Sequence, residues 1–264
     1  MIQSQSAGHA KSYYTEALAK SDYYIGGQEL SGTFRGRLSN RLGITGVATK
    51  ERFHALCENR HPDTGKPLTP RTKKDRTVGY DINFHVPKSV SILHALAKDN
   101  HVLDAFQSSV ATTMEMIQAD ARTRIRKSGT YADRVTGELL WVDFIHQTAR
   151  PVDGFVPDPH LHAHCYVFNM TWDQTEQRIK AGQFRHINQN MPGYQTMFHK
   201  VLADNLVRLG YQVKPTLKSF EVEGIAPRSD RIVLQTDRRD RQGRKRKGYN
   251  GRQRAFRAGC QNEG

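Results

Sequence analysis

Hydrophobic and polar positions repeat along this chain with two distinct periods. From 78 to 86, Val78, Tyr80, Ile82, Phe84 and Val86 fall on one side, and Asp81, Asn83 and His85 on the other. That period of two predicts a half-buried strand, ended by Pro87. Residues 161–169 repeat the pattern: Leu161, Ala163, Cys165 and Val167 face one way, His162, His164, Tyr166 and Phe168 the other. A third strand is predicted over 139–146, closing on His146. Elsewhere the period is helical. Leu103, Phe106, Val110, Met114, Ile117 and Ala121 recur at spacings of three and four, predicting a helix over 101–127 with Asn100 as its cap. The basic run 122–127 then suits the negative end of the helix dipole. Further helices are predicted over 9–20, 49–58, 88–97 and 192–209, the last closed by Gly210. Residues 59–76, with Pro62, Gly65, Pro67 and Pro70, read as a basic loop. Short strands follow near 211–214 and 219–223.

Strand, helix, strand, strand, helix, strand is the order of an α+β, two-layer fold: one antiparallel sheet with helices packed on one face. The apolar positions belong under those helices. The open face is left for Asp81, His162 and His164.

Charge narrows the choice of partner. Across 264 residues, 40 Lys and Arg face 26 Asp and Glu, a net charge of +14, which points to a polyanion. Residues 228–264 hold 12 of the basic and 4 of the acidic residues, so 28 and 22 remain for residues 1–227. The chain is therefore expected to be a domain over 1–227 and an Arg-rich tail over 228–264, disordered or atypical, able to grip phosphates. No apolar run is long enough for a membrane span, and the N-terminus has neither the basic nor the apolar part of a signal peptide. Cys57, Cys165 and Cys260 are scattered, which excludes a disulfide framework or a paired-cysteine zinc module and suits a reducing cytoplasm.

His162 and His164 lie on one face of a strand, about 7 Å apart along the backbone. Both rings can converge on one ion, and His146 can supply a third. Three imidazoles would leave an open coordination position, as in catalytic rather than structural sites. Surface histidines in a chain that has 12 of them are the plain alternative. His160 is a further ligand or a phosphate contact. Asp81 can accept a hydrogen bond from a ligand histidine and fix its tautomer, or be an exposed acid at a strand edge. Tyr13, Tyr14, Tyr23 and Tyr24 form two doublets. They can pack in a core, stack on bases, or attack a phosphodiester.

Taken in order, four blocks resemble the relaxase domains of conjugative plasmids, the MobF class of histidine–hydrophobe–histidine endonucleases. They are Ser12-Tyr13-Tyr14 with Asp22-Tyr23-Tyr24; Gly79 through Ser91; His146 through Arg150; and Asp158 through His164 with Asn169-Met170-Thr171. The resemblance spans roughly residues 2–225, with a weaker match over 206–212. It implies a palm-like antiparallel sheet with helices on one face. It implies that Tyr13 is the nicking nucleophile, followed by Tyr14, and that Tyr23 or Tyr24 serves a second transfer. His146, His162 and His164 would bind a divalent metal (Mg, Mn or Zn), and Asp81 would orient them. Arg71, Arg76, Lys88 and Arg150 would lie along the DNA. The implied substrate is single-stranded DNA at a plasmid transfer origin. Accessory DNA-binding proteins and a secretion-system coupling protein are the implied partners, and no membrane insertion is expected.

Three functions compete on the residues alone. A strand transferase, conjugative or a rolling-circle replication initiator, leaves a covalent tyrosyl adduct. A metal-dependent nuclease using water leaves none. A non-catalytic basic binder survives the loss of His162 and His164.

Overall fold

The computed structural model describes residues 2–13, 32–69, 76–97, 100–127, 130–149 and 157–225. The chain begins with β1 (Ile2–Ser6) and α1 (Ala7–Tyr13), then β2 (Thr33–Arg35), α2 (Arg37–Leu42), β3 (Gly46–Val47) and α3 (Lys50–Cys57). Next come β4 (Thr77–His85), α4 (Lys88–Leu96), α5 (His101–Ala119), β5 (Arg122–Lys127) and β6 (Thr130–Val135). β7 (Trp141–Thr148), β8 (Pro159–Phe168), β9 (Thr171–Asp173) and β10 (Arg178–Lys180) follow. The described part ends with α6 (Arg185–Gln189), α7 (Met191–Arg208), β11 (Val213–Pro215) and β12 (Phe220–Val222).

Six strands form one antiparallel sheet in the order β1-β4-β8-β7-β2-β3. β8 sits between β4 and β7, so its backbone groups are paired on both sides. The periodic apolar positions of α5 and α7 pack on one face. Phe106, Val110, Met114 and Ile117 of α5 join Phe198, Leu202 and Leu206 of α7 over Ile82, Phe84, Leu161, Ala163, Cys165 and Val167. This is the helix-covered face that the alternation predicts.

The other face is divided. Val142, Phe144, Tyr166 and Phe168 carry a second apolar cluster with Phe34, Leu38, Phe53 and Leu56. Phe53 of α3 lies 4.9 Å from Tyr166 and 5.1 Å from Phe168, centroid to centroid. Thr49 caps α3, its side chain accepting from the Arg52 amide. Val78 packs in this cluster rather than with Tyr80. Gly79 is required where β4 passes this cluster, because a Cβ there would meet the Tyr166 ring at 2.5 Å. Only the far end of the face is left to polar residues, and there the histidines stand.

Several sequence expectations change. The long helix stops at Ala119, and Arg122–Lys127 is a strand, paired with β6 from Arg122↔Val135 to Lys127↔Thr130. Thr123 and Ile125 are β-branched and alternate with arginines, and a partner strand satisfies their backbone, which outweighs the helical period. The helix predicted over 9–20 is described only as α1; Tyr14, Tyr23 and Tyr24 lie outside the described residues, as do Arg71 and Arg150. β7 does not close on His146 but runs on to Thr148, with a register shift between these two residues. Among the described residues no helix is long and apolar enough to cross a membrane.

Candidate active site

The register of the three central strands sets the site. Across β4, β8 and β7, His85 pairs with His162 and His162 with His146. One step along the face, Asn83 pairs with His164 and His164 with Phe144. One further step brings Asp81 opposite Tyr166 and Tyr166 opposite Val142. Because side chains alternate with period two, all these polar residues share one face.

The three predicted ligands form a near-equilateral triangle. Ring centroids are 5.2 Å apart for His146 and His162, 5.5 Å for His146 and His164, and 5.3 Å for His162 and His164. Three imidazoles bound tetrahedrally at about 2.1 Å have centroids roughly 5 Å apart. Spacing therefore fits a shared ion.

Hydrogen bonds fix which nitrogens are donors to it. His164 Nδ1 lies 3.0 and 3.2 Å from the two carboxylate oxygens of Asp81. Asp81 is fully buried on an interior strand, which removes the exposed strand-edge reading. An ionised carboxylate only accepts, so the proton is on Nδ1 and the lone pair on Nε2. His162 Nδ1 lies 2.8 Å from the His160 carbonyl, another acceptor. Its lone pair is likewise on Nε2. Burial, and then the neighbouring His160 imidazole, push His162 down to about 2, which keeps it neutral and able to ligate. As the rings stand, no group of three His, Cys, Asp or Glu among the described residues is set to hold an ion. Donor chemistry and centroid spacing fit a shared ion.

The remaining predicted residues fall in different places. Tyr13 is the last residue of α1, a helix that lies on the histidine face, since its Ala10 is buried in the second cluster. Lys88 donates to the Pro159 carbonyl at 2.6 Å, at the start of the histidine strand. Arg76 turns inward and donates to the Cys57 carbonyl at 2.7 Å. Burial pushes its guanidinium down. Asn83 and His85 stand on this face without having been singled out. The alternation of β4 already placed them beside Asp81.

A family model described as TrwC relaxase matches residues 7–259. The chain belongs to the TrwC relaxase family. Among relatives in this family, the multifunctional conjugation protein TraI of Escherichia coli strain K12 is 30% identical over 235 residues, 85% of this chain and 13% of TraI. A second Escherichia coli TraI is 30% identical over 232 residues, 84% of this chain and again 13% of its own length. The chain thus spans about an eighth of these relatives. A metal-bound structure of the conjugative relaxase TrwC with oriT DNA superposes with a TM-score of 0.71 at 26% identity, covering 86% of this chain and 77% of that one. TrwC with a 27-mer DNA comprising its recognition hairpin and cleavage site gives a TM-score of 0.70 at 25% identity, covering 87% and 77%.

Proposed function

We propose that this chain nicks and rejoins one strand of plasmid DNA at a transfer origin, as the step that starts conjugative transfer. The observation that carries the reading is the triangle of His146, His162 and His164, with Asp81 buried behind His164. Family membership and the likeness to DNA-bound TrwC support it.

A divalent ion held by the three imidazoles would polarise the scissile phosphate and offset charge on its oxygens. Asp81 holds His164 in the Nδ1–H tautomer, and the His160 carbonyl does the same for His162. Tyr13 is the nucleophile. Its Oη forms a bond to phosphorus, the bond from phosphorus to the 3′ oxygen breaks, the phenol proton is lost, and the 3′ oxygen leaves as a hydroxyl. A 5′-phosphotyrosine ester results. One ester replaces another, so a free 3′-hydroxyl can reverse the step. Tyr14 is next in line for the attack, and Tyr23 or Tyr24 serves the second transfer. Arg71, Lys88 and Arg150 follow the DNA backbone; Arg76 joins them only by leaving the Cys57 carbonyl. The unit that does this is residues 1–227.

The test is Tyr13→Phe, which removes one oxygen and keeps the ring. With single-stranded DNA and metal, the wild-type chain gives a denaturation-resistant protein–DNA band, and the variant gives none while binding DNA as before. A full-yield adduct in Tyr13→Phe removes Tyr13 from the role. Cleavage by the wild type without any adduct means a nuclease that uses water.

A further inference from the structure

A three-histidine site leaves two imidazoles of this face unused: His85 at the end of β4 and His160 near the start of β8. They touch each other. His85 Nδ1 lies 3.3 Å from His160 Nε2. Their rings are 11° from parallel, with centroids 5.3 Å apart. Each also lies against His162, at 5.5 Å for His85 and 4.4 Å for His160. The five imidazoles therefore form one continuous array across three strands.

Two nitrogens that share one ion at about 2.1 Å, at a tetrahedral angle, stand roughly 3.4 Å apart. The His85 and His160 nitrogens are at that spacing without any movement of the backbone. We propose that His85 and His160 form a second cation subsite beside the three-histidine site. It would take a divalent transition metal suited to imidazole, of the zinc, copper or cobalt kind, with water or a DNA phosphate oxygen completing the shell. Magnesium, which prefers oxygen ligands, would not occupy it. The ammonium of Lys88, fixed on the Pro159 carbonyl next to His160, repels a cation. A first ion nearby does the same. The subsite is therefore the weaker of the two, and a bound phosphate strengthens it by supplying negative charge.

The subsite is described relative to the proposed metal site but does not depend on it, and the test separates the two. Metal-free, untagged full chain is dialysed against zinc, and bound ions are counted by plasma mass spectrometry. The wild type should reach two equivalents, the second on the order of tenfold weaker because of the like charges nearby. His85→Asn and His160→Gln should each saturate at one equivalent and keep the tight one. The double variant His162→Ala, His164→Ala should lose the tight equivalent. One equivalent in the wild type overturns the subsite, and so do two equivalents that persist in both His85→Asn and His160→Gln. A tight equivalent that persists in the double variant overturns the three-histidine reading instead, and leaves the subsite to be judged on its own two variants.

Discussion

At the scale of the residue, Asp81 is a carboxylate with no exposure, spent on holding one imidazole. Asp81→Asn keeps an acceptor oxygen but removes the charge that makes His164 a stronger donor. It should weaken metal affinity by about 10- to 100-fold, the usual cost of losing a ligand's own partner, and slow cleavage while leaving DNA affinity intact. Calorimetric titration and gel-shift assays read these separately; equal loss of both would mean a structural role. Protonation gives a second prediction. His162 in the folded chain titrates at about 2, against 6.5 for the unfolded group. Below pH 6.5 the unfolded chain binds a proton that the folded chain refuses. The stability this residue allows is thus complete above pH 6.5 and lost as pH falls toward 2. In chelator, thermal midpoints should drop from pH 7 to pH 4, and His162→Gln should flatten that slope. The same slope in the variant would assign it to other groups. His162, His164 and Asp81 could be picked out of the sequence because their spacing alone puts them on the polar side of strands. The His160 carbonyl could not, since a backbone acceptor has no letter of its own.

At the scale of the element, β4 and β8 meet across Gly79 and Tyr166. Gly79→Ala places a methyl against the aromatic ring of a packed cluster. Overpacking of this kind costs about 1–3 kcal/mol, so the denaturation midpoint should fall by an amount in that range. An unchanged midpoint would mean that the ring has room to move. Strands with one polar face were legible because their period survives burial. α3 and α7 were legible from their apolar and polar sides and α4 from its place after Pro87, each within a residue or two of its observed ends. The β5–β6 hairpin was not: a run of arginines spaced by Thr123 and Ile125 fits the end of a helix as well as it fits a strand, and only the partner strand decides. β2, β3, β9 and β10 are two or three residues each, too short for any period to appear. The second apolar cluster was hidden for another reason. Tyr166 and Phe168 continue the histidine side of β8, and nothing in the alternation says that α3 covers them while leaving His162 and His164 open.

At the scale of the whole molecule, charge is unevenly placed. Residues 228–264 carry 12 Lys and Arg against 4 Asp and Glu, and the family match runs on to residue 259. If this stretch contacts phosphates, its removal releases fewer counterions on binding. DNA affinity should then depend less steeply on salt, while a short single strand at saturation is still cleaved. An unfolded truncated protein would place the domain boundary beyond 227.

The sheet register carries a consequence for how such a chain can change its length. His146 and Phe144 share a face because they are two residues apart, as do His162, His164, Tyr166 and Phe168. Adding or deleting a single residue inside β7 or β8 inverts this parity, swinging an imidazole under α5 and α7 and an aliphatic side chain into the site. The interior of these strands therefore admits substitutions but not single insertions. The register shift after His146 lies where an odd residue does least harm, past the last imidazole of β7. Variation in length belongs between the two strands, where no count of residues decides which side of the sheet the chemistry is on.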